Sequence, residues 1–347
     1  MDGDMSDSVF AGMLTHVQGA DGRPGADMAF FIGDQIYADA TAGLVDSDNW
    51  RERYVQRYRR AFSSPLFSEL GRSLPLHFTV DDHEVDDQWS GEQTIQGRTT
   101  KAMEVARLFQ QTDWSLGPKR FWYALDFPNE TACPVFVMDT RFEREFRDAG
   151  NLLTARMIQD EQRQAITGWL DTCEEFDGPK FIVNSVVVAP ISHRLQDEHG
   201  VIDLTAGGSW NEDGWAGYPE TLGWLIEELV RRQLQNVVFI GGDLHLSAVA
   251  DLVLYVEGGT PLAALQIISS GLYAPLPLAS TQPEERAMSA TVRVTPTVSF
   301  EYNASLLSSA HRHFVRIDAE RNGDDQGPPW SLNVAAFDAA GAALPGP

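Results

Sequence analysis

Residues 237–245 read Val-Val-Phe-Ile-Gly-Gly-Asp-Leu-His, a short apolar run that stops at two glycines and is followed by an acid and a histidine. Two earlier stretches have a similar form: Met-Ala-Phe-Phe-Ile-Gly-Asp-Gln-Ile-Tyr at 28–37 and Leu-His-Phe-Thr-Val-Asp-Asp-His-Glu at 76–84. Short apolar runs with polar or glycine boundaries are typical of buried strands. In α/β sheets, ligands bind just beyond the carboxyl ends of the strands, so three such ends can converge on one site. The chain is therefore predicted to be an α/β protein with its functional site at these strand ends.

Amphipathic and apolar segments alternate through the first two thirds of the chain. Helical spacing and start signals predict helices at 49–62, 98–114, Thr154 to about Phe176, and 219–234. In the three quoted stretches the apolar runs predict strands at 28–32, 76–80 and 237–240. Apolar runs predict further strands at 121–127, 134–139, 181–189, 248–256, 262–269, 291–300, 313–317 and 330–337. No linker or repeat divides the sequence. We therefore expect one domain spanning 1–347, with an α/β part at about 25–245 and a strand-rich part at about 246–340.

The composition excludes several classes of protein. Hydrophobic residues make up 43% of the 347 residues, which indicates a globular chain, and no stretch reaches the ~20 apolar residues of a membrane helix. A net charge of −24 disfavours binding to nucleic acid backbones. The two cysteines, Cys133 and Cys173, are too few for a disulfide framework or a structural zinc site. The polar start Met1–Ser8 lacks the basic and apolar regions of a secretion signal, which slightly favours a cytoplasmic location unless a signal was trimmed.

The side chains that follow the three strands suit metal ions. Carboxylate, phenol and imidazole groups are ligands for iron, manganese, zinc and calcium. In Asp81-Asp82-His83-Glu84, three acids surround a histidine, and acids this close repel one another unless a cation lies nearby. Taken alone, Gly33-Asp34 could be an ordinary turn after a strand. The succession of three such motifs, each after a strand, favours a metal site.

Further segments between residues 30 and 271 resemble one known family. They are Leu74-Pro75, Asp139-Thr140-Arg141, Trp215-Ala216-Gly217-Tyr218-Pro219 and Ser269-Ser270-Gly271. With the three strand-end motifs, they make the chain resemble the alkaline phosphatase D (PhoD-like) branch of the calcineurin-like metallophosphoesterases. The resemblance implies a four-layer α/β/β/α sandwich of two mixed sheets flanked by helices. It also implies hydrolysis of phosphate monoesters or diesters by a hydroxide that bridges two metal ions.

The resemblance also implies roles for individual residues. The implied metal ligands are Asp34, Tyr37, Asp82, Asp243 and His245. Two side chains would act on the phosphorylated small molecule or other ester substrate: His83 as general acid or phosphoryl contact, and Arg141 as a phosphate-binding guanidinium. His193 follows the apolar run 181–189 and is a further candidate for substrate binding. The implied cofactors are two metal ions, either iron with calcium or manganese or zinc.

One departure from the family pattern leaves alternatives open. Relatives have a metal ligand on a strand that precedes Gly33-Asp34, whereas here that position falls in the polar segment Met1–Asp7. We therefore expect the N-terminal strand to be missing from this chain. A rival hypothesis is an impaired or truncated relative that acts as a binding protein. A serine hydrolase is a third alternative, but the chain has no Gly-x-Ser-x-Gly elbow to support it.

Other residues near the motifs have structural explanations. Asn184 and Ser185 lie inside the apolar run 181–189 and are predicted to be hydrogen-bonded core residues. His83 could orient a ligand carboxylate instead of donating a proton. Trp89 and the aromatic residues of 211–218 could line the substrate cleft or only pack a long loop.

Overall fold

A nine-stranded mixed sheet forms the centre of the fold in the computed structural model of the protein. The structure describes residues 4–19, 25–39, 49–90, 97–110, 120–125, 132–207, 213–272, 286–309, 312–322 and 329–345. Within these ranges, the helices are α1 (Asp4–Thr15), α2 (Trp50–Phe62), α3 (Pro65–Ser73), α4 (Arg98–Gln110), α5 (Asp160–Cys173) and α6 (Pro219–Arg232). The strands are β1 (Ala29–Ile32), β2 (Leu76–Thr79), β3 (Tyr123–Leu125), β4 (Val135–Val137), β5 (Lys180–Val183), β6 (Val201–Asp203), β7 (Val237–Gly241), β8 (Ser247–Val256), β9 (Leu262–Ser269), β10 (Ser289–Arg293), β11 (Val298–Ser308), β12 (His313–Arg321) and β13 (Trp330–Asp338). Short 3-10 turns lie at Asp82–Glu84, His193–Leu195 and Trp215–Gly217.

The strand order brings the three sequence motifs together. The large sheet has the order β3-β4-β5-β7-β9-β8-β11-β10-β6, and β4, β5, β7 and β9 run parallel to one another. Strands β1 and β2 form a separate parallel pair, with Ile32 opposite Thr79, so their carboxyl ends lie side by side. The end of β7 lies against the end of β1, because a side chain at Gly242 would come within 3.0 Å of the Ile32 carbonyl oxygen.

The smaller sheets differ from the predicted pair of mixed sheets. Among the described residues, β1 pairs only with β2, and β12 pairs only with β13 in an antiparallel ladder. The prediction of a mixed α/β protein with a large mixed sheet is confirmed, but a single second sheet is not formed by these strands. The two short sheets instead lie next to the same face of the large sheet, where Ile32 of β1 and Val315 of β12 pack in one apolar cluster with Ile240 of β7.

Apolar side chains cover the large sheet on both faces. One face packs against α5 and α6, with Leu170 and Leu225 fully buried beside Phe239 of β7. The other face packs against β12, β13 and the apolar side of β1, where Ile240 contacts the cluster that includes Val315. This explains why residues 181–183 of β5 and most of β7 are apolar, since strands covered on both faces have no polar side.

The helices next to the site are held by similar apolar contacts. Phe10 of α1 and Phe67 of α3 pack on β1 and β2. Helices α2 and α4 pack together around the fully buried Tyr54 and Tyr58. Helix α2 begins where the Asn49 side chain accepts a hydrogen bond from the backbone of Arg51 and Glu52, which caps free backbone donors of the first turn. These helices surround the residues that follow β1 and β2.

Two predicted element boundaries are wrong. The long helix begins at Asp160 and not near Thr154, because the buried residue Met157 is held in the preceding connection by a hydrogen bond from its backbone nitrogen to the Thr221 hydroxyl. The predicted strand 291–300 is two strands, β10 and β11, which are separated by a turn in which the Val294 nitrogen donates to the Val298 carbonyl. Periodicity alone could not locate either break, since apolar residues lie on both sides of each one.

The predicted strand 181–189 is also shorter than expected. β5 ends at Val183, and residues 184–189 continue as a buried non-strand segment. The prediction that Asn184 and Ser185 are satisfied core residues is confirmed. Asn184 donates to the Ile240 carbonyl and accepts from the Trp215 indole, and the Ser185 hydroxyl lies 2.9 Å from that of Thr140. Sequence reasoning did not predict α1 or β6.

Candidate metal centre

The backbone turns sharply at each end where a strand meets the site. Asp34, Asp243 and His245 have φ values of 56°, 69° and 52°, and Gly33 has 97°. Left-handed backbone is uncommon for residues other than glycine, and such residues concentrate at functional sites. A side chain at Gly33 would overlap the Asp81 Cβ, so this glycine lets β1 end directly against the residues that follow β2.

Four carboxylates from the three motifs come together and form the acidic cluster: Asp34, Asp81, Asp82 and Asp243. One oxygen from each lies within 4.8 Å of the others. A second group with the same spacing joins Asp34, Asp82 and His83. Strands that are far apart in the sequence therefore present a set of hard oxygen ligands, with one imidazole, to a single point. Asp81 was not among the predicted ligands, although it stands in the predicted motif.

The acidic cluster is electrostatically unfavourable without a cation. Burial, followed by the charges of Asp81 and Asp82, raises the pKa of Asp34 well above its usual range. The pKa of Asp243 is also raised, by burial and then by Asp81 and Asp213. Among the described residues, the buried Asp34 Oδ1 has no hydrogen-bond partner. A metal ion would satisfy this oxygen and offset the repulsion, so the residues present fit a metal site.

Tyr37 links the acidic cluster to His245. Its hydroxyl donates to Asp34 Oδ2 at 3.2 Å and lies 3.3 Å from His245 Nε2. Burial, followed by the Asp34 charge, raises the pKa of Tyr37, so the phenol keeps its proton in this arrangement. The backbone nitrogen of His245 donates to the Ser270 hydroxyl, which holds the turn after β7. The five predicted ligands are thus brought into one neighbourhood.

Glu84 organises the backbone beneath the acidic cluster. Its carboxylate accepts hydrogen bonds from the backbone nitrogens of Asp34, Ile36 and Asp81 at 3.1, 3.2 and 2.6 Å. Burial raises the pKa of this almost fully buried side chain to about 8, even though these donors lower it. Glu84 therefore joins the first and second motifs. The sequence signal for it was its place in Asp81-Asp82-His83-Glu84, but no role was predicted.

His83 is paired with an acid that sequence reasoning missed. Its Nδ1 lies 2.9 and 2.8 Å from the two carboxylate oxygens of Asp39, and its ring centre lies 4.2 Å from that of Tyr37. Burial alone would lower the pKa of His83, but Asp39 and Asp82 raise it to about 9. The backbone nitrogen of Asp87 also donates to Asp39. No motif marks Asp39, because only the tertiary fold brings it to the histidine.

The guanidinium of Arg141, the predicted phosphate-binding group, is paired with two carboxylates of the protein. Its side chain is fully buried; Nε donates to Asp81, and Nη1 and Nη2 each donate to an oxygen of Asp213 at 2.6 Å. Nη1 also lies 3.4 Å from the Trp89 carbonyl. A guanidinium occupied in this way does not present a free fork to a substrate, so the geometry argues against the predicted phosphate contact.

The other residues predicted near the substrate are His193 and three aromatic side chains. The side chain of His193 lies outside the described part of the structure, and its backbone begins the short turn His193–Leu195. Trp89, Trp215 and Tyr218 are almost fully buried, which confirms the packing explanation for these aromatic residues.

A cavity of about 790 Å³ adjoins the acidic cluster. Asp34, Tyr37, Asp243 and His245 line one part of it, and residues of β1 and β12 line much of the rest. Four of the five predicted ligands therefore border open space from which a small molecule can approach. Among the described residues, no helix is both long and apolar enough to span a membrane.

The comparisons with known proteins point to one family. The sequence pattern of the PhoD-like phosphatases matches residues 9–112 and 122–322, which is most of the chain. A solved structure of PhoD has a TM-score of 0.59 to this chain at 15% identity, and the alignment covers 98% of this chain and 69% of that one. At this identity the structural match bears on the fold alone. A search of curated proteins found no match.

Proposed function

We propose that this chain hydrolyses small phosphate esters with two metal ions at the acidic cluster. The premise is that the chain belongs to the PhoD-like phosphatase family and is a phosphoric ester hydrolase. The observation that carries this proposal is the convergence of Asp34, Asp81, Asp82 and Asp243 within 4.8 Å. Four carboxylates at this spacing are unfavourable in a buried site unless cations offset them, and Arg141 forms a direct ion pair with Asp81 while its Nη2 stays 3.9 Å from Asp82.

The proposed metal ligands are the five that the sequence predicted and one further carboxylate. They are Asp34, Tyr37, Asp82, Asp243 and His245, with Asp81 as the added carboxylate. When bound, two metal ions would activate a water molecule and neutralise charge on the phosphoryl oxygens. Oxygen ligands with one imidazole accept iron, manganese, zinc and calcium, so the proposal extends to iron with calcium and to manganese or zinc. Tyr37 would hold a metal through its oxygen, and the positive charge of the metal would favour loss of the proton that the hydroxyl now donates to Asp34.

His83 is proposed as the general acid for the leaving oxygen. Asp39 occupies Nδ1, which leaves Nε2 as the nitrogen that can hold a transferable proton. The raised pKa of His83, about 9, keeps this proton in place at neutral pH. The side chain is 21% exposed, so a substrate can reach it. Positioned proton donors of this kind typically contribute 10²–10⁴-fold to rate.

The finer features of the fold belong to the same proposal. We infer a single domain over 1–347 and a four-layer α/β/β/α arrangement, in which α5 and α6 form one outer layer and α1 and α3 form the other. Burial of both faces of the large sheet supports the two inner layers. The contacts of Phe10 and Phe67 with β1 and β2 support the second outer layer.

Metal content and ester hydrolysis test the proposal together. Protein purified without chelator is analysed for metal per chain, and hydrolysis of p-nitrophenyl phosphate and bis-p-nitrophenyl phosphate is measured. Asp34→Asn should lose metal and at least about 100-fold in rate, because it removes one of the two carboxylates, with Asp82, that belong to both candidate metal-binding groups. Asp203→Asn is the matched control, since Asp203 ends β6 at a 47% exposed position.

These measurements distinguish an enzyme from a binding protein. Wild-type protein that binds two metals and hydrolyses an ester supports the enzyme. Protein that binds metal without hydrolysing either ester favours the rival hypothesis of a binding protein. Asp34→Asn protein with unchanged metal content and rate would contradict the assignment of the site.

A further inference from the structure

A buried ion-pair network connects the acidic cluster to the segment before the turn Trp215–Gly217. The fully buried Arg141 spans two carboxylates: its Nε donates to Asp81, and its two terminal nitrogens donate to the two oxygens of Asp213 at 2.6 Å. The bond to Asp213 is bidentate, which fixes the plane of the guanidinium as well as its position. Asp81 and Asp213 are thereby joined through one side chain.

Asp213 is itself held by a second arginine. Arg144 Nη1 donates to Asp213 Oδ1 at 2.8 Å and to its backbone carbonyl at 2.9 Å. Burial would raise the pKa of Asp213, but Arg141 and Arg144 lower it to about 2, so the carboxylate stays ionised. Because Asp213 is charged and accepts hydrogen bonds from both arginines, its position determines where the Arg141 guanidinium lies.

The backbone at both ends of the network is fixed to the core. Asp139 Oδ1 accepts hydrogen bonds from the backbone nitrogens of Arg141 and Phe142, which sets the turn after β4. Close to Asp213 in the chain, the buried Trp215 donates to Asn184 behind the end of β5. Since neither end can shift freely, the guanidinium of Arg141 has one favourable position.

That position matters because a second carboxylate is close. Arg141 Nη2 lies 3.9 Å from Asp82 Oδ1, beyond a direct hydrogen bond. If Asp213 did not hold the terminal nitrogens, they would be free to turn toward Asp82, one of the proposed metal ligands. A cation paired with Asp82 would compete with a metal for the same oxygen.

We propose that Asp213 is a positioning residue for the metal site: it holds Arg141, and Arg141 holds Asp81 in the acidic cluster while staying clear of Asp82. This inference rests on the proposed function, because it concerns the same site. It gives Arg141 a role different from the predicted contact with substrate phosphate. Residues that orient metal ligands without touching the metal commonly affect its affinity strongly.

The test measures Mn²⁺ affinity by calorimetry for wild-type, Asp213→Asn and the control Asp203→Asn. Asp213→Asn should raise the Mn²⁺ Kd by about 10–100-fold, and Asp203→Asn should leave it unchanged. In an Arg141→Met background, Asp213→Asn should have a much smaller effect, because the positioning passes through Arg141 and only the charge of Asp213 near Asp243 remains to be lost. An unchanged Kd, or an equal effect in both backgrounds, would overturn the proposal. If Asp213→Asn does not fold, Asp213→Glu keeps the charge but displaces the carboxylate, and it is used in the same cycle.

A crystal structure of metal-free Asp213→Asn protein provides a readout that needs no metal. The Arg141 guanidinium should turn toward Asp82 in the variant, and an unmoved guanidinium would refute the positioning role. Wild-type protein that binds none of Mn²⁺, Zn²⁺, iron and Ca²⁺ would contradict the proposed function, and the variant's structure would then decide the positioning role by itself.

Discussion

The hydroxyl of Tyr37 lies 3.3 Å from Nε2 of His245, although 208 positions separate the two residues in the chain. The same hydroxyl donates to Asp34, so one phenol joins the residues that follow β1 to those that follow β7. Both residues are predicted metal ligands. Their contact means that a metal between them would replace a hydrogen bond that already holds the two segments in place.

Replacing Tyr37 with phenylalanine should therefore weaken metal binding more than folding. The ring would still pack beside His83, while the oxygen shared by Asp34 and His245 would be lost. We expect the Mn²⁺ Kd to rise by at least about 10-fold. Calorimetric titration measures the affinity, and a Tm close to that of the wild type would show that the fold is intact. An unchanged Kd would exclude Tyr37 from the ligand set.

Gly33→Ala should destabilise the protein and disrupt the site. An added Cβ would meet the Asp81 Cβ, and the φ of 97° is unfavourable for alanine. Gly258→Ala is the matched control, since Gly258 has a φ of 76° but open space around it. The control should lose about 1–2 kcal/mol for the backbone alone, and Gly33→Ala should lose a further 1–3 kcal/mol or so for overpacking. Urea unfolding measures both, and equal losses would show that the contact with Asp81 is unimportant.

The metal-free protein should become less stable as pH rises. The pKa values of Asp81 and Glu84 are raised from 3.8 to about 6 and from 4.5 to about 8, so the folded state binds these protons more tightly than the unfolded state. Their contribution is complete below about pH 4 and is lost as pH rises toward about 8. His83, raised from 6.5 to about 9, acts in the same direction only at higher pH. Asp213 has a lowered pKa and affects stability only in more acidic solution.

Thermal unfolding with excess chelator, from about pH 5 to about pH 8, measures this dependence. The slope between about pH 5 and pH 6 comes mainly from the acids, because His83 then stays protonated in both states. Excess Mn²⁺ should raise the Tm most at high pH, where the carboxylates are ionised and ready to bind. A Tm that rises with pH in chelator would contradict the raised pKa values of these buried acids.

Asp39→Asn should lower kcat with little change in KM. The variant loses the carboxylate that orients His83 and raises its pKa, so the imidazole should hold its proton less firmly. We expect a loss of about 10-fold or more in kcat for an ester with a poor leaving group. NMR titration of His83 in metal-free protein should show its pKa moving down toward 6.5.

A second background tests whether Asp39 acts through the histidine. In His83→Asn protein, the change at Asp39 should cost nothing more in kcat. An equal loss in both backgrounds would mean that Asp39 supports the site by another route, such as its hydrogen bond with the backbone of Asp87.

The elements that the sequence predicted well are those with a clear local signal. Helix α6 begins at Pro219, a residue favoured in the first helical turn, and its buried face follows the helical period. Strands β1, β2 and β7 are apolar runs with glycine or acids at their ends, and they lie within one residue of their predicted bounds. The start of α5 was missed, because a contact with the distant residue Thr221 determines it. The turn between β10 and β11 was missed although it is local: the Val294 nitrogen donates to the Val298 carbonyl, and Pro296 lies between them.

For the site, the sequence alone determined which side chains stand at the three strand ends, because a strand that stops at glycine and acid must present those groups at the sheet edge. The partners of these side chains depend instead on how the whole chain folds. Asp39 came to His83, and Asp213 came to Arg141, across 72 positions of chain. Such pairings depend on how loops cross the strand ends, and loop paths are set by long-range packing and burial of charge, which leave no periodic pattern in the residues themselves.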